Sequence, residues 1–237
     1  MSLPEQALTP AFVIHTRPYR ETSLLVQLFT LEYGKVSAVA RGARAKRSKW
    51  RGILQPGVPL LVELSGKGSL RNFKQVEASN LALPLFGQYL YSTLYLNELL
   101  YYLLEENTAY PNLYHHYQDS LVALAKQQPL EGCLREFELL LVAELGFALA
   151  EPQEFAQGLS YQYRLHEGFV VSNSRFSQVE FSYQEILMLL AFDPQQAQHL
   201  LCAKRFCRIV IAQLLNGREL TSRKLFSQIK TTNRAFN

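Results

Sequence analysis

The chain has little from which to build a metal, redox or covalent centre. Three cysteines stand in 237 residues, Cys133, Cys202 and Cys207, an odd set without CxxC spacing. That excludes a disulfide framework and a four-thiolate zinc site, and it fits a reducing cytoplasm. Five histidines, His15, His115, His116, His166 and His199, are scattered with no HExxH pair, and no GxSxG elbow occurs. The run Gly66-Lys67-Gly68-Ser69 has Leu61 where a phosphate-binding Walker loop needs glycine, so a hairpin turn is the expected reading. No catalytic residue, metal site or cofactor is expected, and an enzyme is the weakest functional class. Long apolar runs are also missing: the window from Leu85 to Leu104 is interrupted by Gln88, Asn97 and Glu98, which predicts a buried soluble helix and no membrane span. The amino-terminal MSLPEQALTP has no charged start before an apolar run, so no signal peptide is expected. No internal repeat or low-complexity segment is present.

Negative charge is missing where positive charge is densest. Between Arg41 and Arg51 the sequence RGARAKRSKWR packs Arg41, Arg44, Lys46, Arg47, Lys49 and Arg51 together with no acidic residue. Side chains of one sign repel and resist burial, which predicts a solvated loop. A polyanion relieves that repulsion and releases counterions on binding. The net charge of +4 is mild, so the basic character is a local cluster and not a global field. Trp50, the single tryptophan, sits inside this loop. It can stack on a base or fold back onto the neighbouring strands, and spacing does not choose between the two.

Hydrophobic content of 48% against 19% charged residues describes a folded chain with a sizeable core. Residues 11–80 read as short strands: Ala11–His15, Ser23–Thr30, Lys35–Ala40, Val58–Leu64 and Leu70–Ala78. Pro18 is expected to stop the first, and Pro59 to lie at an edge or early position of the fourth. Five strands with a basic loop between the third and fourth suggest a small closed barrel of the OB type, with an SH3-like barrel as the alternative. The period then changes to helical: a helix after Pro84, a second opened by Pro111, a third over Leu134–Leu145 ended by Gly146, then helices over Tyr183–Ala191 and from about Pro194 to Leu215. A last helix is expected near Thr221. Tyr161–Tyr163 and Phe169–Val171 form a hairpin, about 158–173, inserted between helices. The fold class is α+β: an amino-terminal five-stranded OB-type barrel, residues 1–80, followed by a mostly helical domain, residues 81–237.

Two further cationic features lie in the helical half. Lys204, Arg205 and Arg208 fall within about one turn, with Lys204 and Arg208 sharing a face. A solvated outer face is the plain reading, and a phosphate track the functional one. Arg135 stands beside Leu134 and Phe137, where burial demands a carboxylate. An ordinary helix pair with Glu131 or Glu138 is favoured by spacing over a cation at the lip of an apolar pocket.

The segment AFVIHTRPYRETSLLVQLFTLEYGKVSAVARGARAKRSK resembles the amino-terminal part of the RecO family of bacterial recombination mediators. LALPLF, LYLNELL, LREFELLLVAELGF, CAKRFCR and GRELTSRKLF resemble its helical domain in the same order. The resemblance covers nearly the whole chain. It implies an OB fold, binding of single- and double-stranded DNA, annealing of complementary strands and, with RecR, loading of RecA onto single strands coated by SSB. By position, Arg41, Arg44, Lys46, Arg47 and Lys49 match the family's DNA-contacting loop. With Lys35, Trp50, Arg51, Lys204, Arg205 and Arg208 they form the expected DNA contacts. Arg135 matches the arginine beside the pocket for the acidic carboxy-terminal tail of SSB, with Leu134, Phe137, Tyr117 and Leu121 as its expected surroundings. Many members carry four zinc-binding cysteines near the hairpin. Residues 148–181 contain none, so the hairpin is expected to be held by apolar packing. The protein is expected in the cytoplasm, associated with the nucleoid. The alternatives to DNA are an OB-fold RNA-binding protein and a scaffold that docks an acidic protein surface.

Overall fold

The computed structural model describes residues 8–50, 52–66, 68–80, 82–150, 158–172 and 180–225. Five strands come first: β1 (Thr9–Tyr19), β2 (Ser23–Thr30), β3 (Gly34–Ala40), β4 (Leu60–Ser65) and β5 (Leu70–Ala78). They close into a barrel in the order β1-β2-β3-β5-β4, with β1 returning to β4 through Thr9↔Val62. All pairings are antiparallel except β3 with β5, which run parallel over Ser37↔Leu70 to Val39↔Asn72. This is the Greek-key order of an OB-type barrel, as the strand pattern predicted. The alternating residues of β4 point inward: Leu60, Val62 and Leu64 join Val58, Ala11, Val13, Val26, Leu28, Val36 and Ala38 in the barrel core.

Alternation predicts one solvated face per strand, but β3 is buried along its whole length and β2 nearly so. The second cover comes from α1 (Gly87–Leu103) and α2 (Pro111–Ala125). Phe12 and Phe29, on the outer side of the barrel, meet the rings of Tyr114 and Tyr117 at 5.3–6.0 Å. A register shift between Val13 and His15 interrupts the β1–β2 ladder, and the Val13 carbonyl accepts from Asn97 Nδ2 at 3.4 Å. The Tyr117 hydroxyl donates to Asn97 Oδ1. A polar bridge thus crosses an apolar layer with its groups partnered, as burial requires.

The chain divides into two compact units, Met1–Gln128 with Leu220–Asn237, and Pro129–Glu219. Packing therefore groups α1 and α2 with the barrel, whereas the expected division near residue 80 placed them with the later helices. Leu220 is buried, and Glu98 accepts from the backbone of Thr221 and Ser222 at 2.8 and 2.9 Å, capping the helical turn that starts there.

The second unit holds α3 (Leu130–Val142), a π-helical turn Ala143–Phe147, β6 (Ser160–Arg164), β7 (Gly168–Val171), β8 (Phe181–Ser182), α4 (Tyr183–Leu190) and α5 (Ala197–Leu214). α3 starts four residues earlier than expected, because Pro129 serves as its N-cap and Gly132 lies inside it. A Cβ at Gly132 would stand 3.3 Å from that of Pro194, which accounts for a glycine within the helix. The hairpin β6–β7 is present and gains a third strand, β8, that the sequence reading missed. Tyr163, Phe169 and Phe181 pack around Phe206 with ring centroids 4.9–6.3 Å apart, so aromatic packing holds the small sheet. Cys133, Cys202 and Cys207 are all buried free thiols. No described helix is long and apolar enough to cross a membrane.

One strand runs further than its sequence suggested. β1 continues through Pro18 to Tyr19, paired with β2 alone, since β4 reaches only Thr9–Ala11. On that one-sided stretch a missing N–H costs no ladder bond.

The tightest constraint lies at Gly34, with φ +62, where a Cβ would fall 1.7 Å from the Thr108 carbonyl oxygen. Gly34→Ala is expected to cost about 3 kcal/mol or more, because strain and a backbone clash combine. Gly42, with φ +69 and nothing within 4 Å, is the control. Gly42→Ala should cost only about 1–2 kcal/mol of left-handed strain. Urea unfolding of the two variants measures the difference.

Candidate nucleic-acid interface

The loop between β3 and β4 is solvated in its side chains and pinned in its backbone. Arg41, Arg44, Lys46, Arg47 and Lys49 are all exposed. Beneath them run overlapping turns, with Ala45 N donating to Gly42 O at 3.1 Å and Ser48 N to Ala45 O at 3.1 Å. Arg44 N donates to Thr22 O at 2.8 Å, tying the loop to the β1–β2 turn. Arg51 lies outside the described residues.

Trp50 decides between its two readings in favour of the barrel. It is 8% exposed, its indole N–H donates to Arg41 O at 2.9 Å, and its ring meets Phe73 at 5.2 Å. The Lys49 ammonium sits 4.9 Å above that ring. Trp50 therefore anchors the loop by burying its apolar area and does not offer a face to a base.

Lys35 is also corrected. It lies on the outer side of β3, 9% exposed, and its Nζ donates to Tyr101 O at 2.8 Å. Burial lowers its pKa and Glu106 opposes that shift. The segment 101–108 covers that side, so the ammonium is structural and withdrawn from the expected DNA contacts.

The structure adds residues that the sequence reading took only as a turn. Tyr19 at the end of β1 and Arg20 and Thr22 of the β1–β2 turn face Arg41 and Gly42 of the loop and Leu70 and Asn72 of β5 across an open cleft of about 500 Å³. The parallel β3–β5 pairing creates this neighbourhood, because Val39↔Asn72 brings the end of β3 to the start of β5. Arg41 Nη2 donates to Asn72 Oδ1 at 3.3 Å, and Arg44 Nη1 to Arg20 O at 3.3 Å. The Arg20 guanidinium lies 5.3 Å from the Tyr19 ring centre. None of the side chains lining the cleft is acidic. The signal was in the sequence: TRPYRE carries Arg17 and Arg20, and only the fold shows which loop it adjoins.

In the second unit the expected sites are largely engaged. Arg205 Nη2 donates to Glu185 Oε1 at 2.7 Å and to Glu180 O at 3.1 Å, and its guanidinium lies 4.4 Å from the Phe181 ring centre. It braces β8 and α4, and is withdrawn from the expected DNA contacts. Burial of the Glu185 carboxyl would raise its pKa, but hydrogen bonds from Ser182 and the Arg205 charge bring it below the usual range. Lys204 pairs with Glu131 at 2.8 Å, both half exposed, which adds little stability and leaves the ammonium exchangeable. Arg208 is exposed.

Arg135 is buried, 7% exposed, and its Nη2 donates to Glu138 Oε1 at 2.8 Å. The i+3 helix pair is thus the observed one, and no open cationic lip exists here. Cys207 packs against the same pair; burial first, then Glu138, pushes its thiol pKa up. Phe137 is fully buried and Leu134 nearly so. Tyr117 and Leu121 are fully buried in the first unit, Tyr117 against Phe12 and Phe29, so they are core residues and not pocket walls. Removing one member of a buried pair strands the other charge. Arg135→Ala should therefore cost about 3–5 kcal/mol, while the double change Arg135→Met with Glu138→Leu should cost far less. Chemical denaturation of the three proteins checks this; equal loss in single and double variants would contradict it.

Two family models match successive stretches of the chain. Residues 1–82 match the family described as Recombination protein O N terminal, and residues 87–162 match Recombination protein O C terminal. The DNA repair protein RecO of Tolumonas auensis is 45% identical over 230 residues, covering 94% of this chain and 96% of that protein. The protein of the same name from Aliivibrio salmonicida is 39% identical, covering 94% and 96%. That from Vibrio cholerae is 39% identical, covering 93% and 94%. With relatives this similar along almost their whole length, the chain belongs to the RecO family.

Proposed function

We propose that the protein is a DNA-binding recombination mediator in DNA repair. It binds single and double strands through the cations at the end of its barrel and anneals complementary strands. With RecR it helps load RecA onto single strands coated by SSB. The observation that carries this reading is the pinned cationic loop of an OB-type barrel, exposed at Arg41, Arg44, Lys46, Arg47 and Lys49, in a chain whose curated relatives are named DNA repair proteins.

The mechanism needs no bond chemistry. Each phosphate neutralised by an arginine or lysine releases condensed counterions, which drives association from dilute salt. Two strands held on one cationic surface repel each other less and meet at higher local concentration, which is all that annealing asks. Pinning matters because a loop already ordered by Trp50 and by the Arg44–Thr22 hydrogen bond loses less entropy on binding. Lys204 and Arg208, four residues apart on α5, give the second unit its own exposed cations for DNA.

Recognition of the acidic SSB tail falls in this reading to the second unit, and Arg135, buried against Glu138, is not its exposed contact.

One measurement tests the loop assignment. Replacing Arg44, Lys46 and Arg47 together with alanine should weaken single-strand binding and flatten its log–log salt slope by about 0.7 for each phosphate no longer neutralised. Fluorescence anisotropy across a salt series reads both, and an unchanged slope would remove the loop from the interface.

A further inference from the structure

The loop explains affinity for any polyanion, but the cleft beside it has features that phosphate binding does not use. Its volume of about 500 Å³ lies within the roughly 300–1,000 Å³ of small-molecule sites. Two guanidinium groups, Arg20 and Arg41, stand on its rim, and it holds no carboxylate. Its wall carries an apolar residue out of place on a cationic surface: Leu70, 39% exposed. Tyr19 adds an aromatic ring, and Thr22 and Asn72 add hydrogen-bonding groups. Asn72 gives its Oδ1 to Arg41, which leaves the amide NH2 to donate. Cations, an apolar wall, a ring and an amide donor together match a nucleotide, which has a phosphate, a flat face and a polar edge. They match poorly to a phosphate alone, which has no use for Leu70 or Tyr19.

We propose that the cleft between the β1–β2 turn and the start of β5 takes one unstacked nucleotide of a single strand, with its phosphate between Arg20 and Arg41 and its base against Tyr19 and Leu70. This deepens the DNA-binding reading and rests on it. A paired base in a duplex presents neither face, so the cleft adds affinity for single strands only. The loop, which touches backbone, serves both forms. The division supplies a reason for a mediator to hold an unpaired strand more tightly and to release it once it is paired. The Asn72 amide would bind an acceptor on the base edge, such as a carbonyl oxygen of thymine or cytosine.

The test separates cleft from loop. Tyr19→Leu with Asn72→Leu changes no charge and leaves the loop cations in place; Leu70→Ser is a second, independent variant. Anisotropy with a labelled oligothymidylate and with a duplex of equal length gives two affinities for each protein. The cleft variants are expected to lose about tenfold on the single strand, the scale of unstacking one base from an aromatic ring, and under twofold on the duplex. The Arg44, Lys46 and Arg47 triple variant should weaken both. Equal losses on both DNAs in the cleft variants, or no loss on either, would overturn the nucleotide site while leaving the DNA-binding reading to the triple variant. In a second arm, the side-chain amide resonance of Asn72 is followed by NMR. It should shift with thymidine 5′-monophosphate and not with inorganic phosphate. Equal shifts with both would reduce the cleft to an anion site and overturn the proposal.

Discussion

The parallel pairing of β3 with β5 is the constraint on which the rest of the barrel depends. Without Ser37↔Leu70 to Val39↔Asn72 the five strands form an open sheet with free edges at β3 and β5. With it, both edges are gone and the inward side chains enclose one core. The same three pairs bring Asn72 beside Arg41 and Leu70 beside Val39, so closing the barrel also builds the cleft. Parallel pairing demands a long connection, and the chain supplies it in the β3–β4 loop and β4. The loop that carries the cations is thus a by-product of the topology, and Trp50 turns its length into order by plugging it back into the core.

In the proposed reading, function follows from the separation of two kinds of contact. Exposed cations on a pinned backbone recognise phosphate and cannot distinguish sequences or, by themselves, strand number. A recess with a ring, an apolar wall and an amide responds to bases, which only an unpaired strand presents. Placed side by side on one barrel end, as proposed, they would let a single surface hold both forms of DNA with unequal strength. Lys35 belongs to neither kind: its charge is spent inside the protein, tying β3 to the end of α1.

Most of the architecture was legible in the sequence because hydrophobic period is local. Val58, Leu60, Val62 and Leu64 alternate in the sequence and all face the barrel core in the structure. Pro111 opens α2 where its fixed φ predicts. The residues misread share one cause: their environment is set by chain distant in sequence. Lys35 counts as a DNA contact until residues 101–108 cover it. Tyr117 and Leu121 sit on a helix whose partner is a barrel more than eighty residues earlier. Tyr19 and Arg20 look like a bare turn until β5 arrives beside them. Arg135 is the opposite case, since its partner Glu138 is one turn away and spacing favoured it correctly. Exposed cations such as Arg44 were the easiest to place, because repulsion alone keeps them in water.

The most direct test of the account is hydrogen–deuterium exchange of the full chain, with and without a saturating oligothymidylate. If the barrel end is the DNA surface, backbone amides in segments 19–23, 41–49 and 70–72 gain protection together, and the core strands already slow in exchange stay unchanged. Protection confined to residues 197–214, with the barrel end unaltered, would contradict it and move the DNA site to α5.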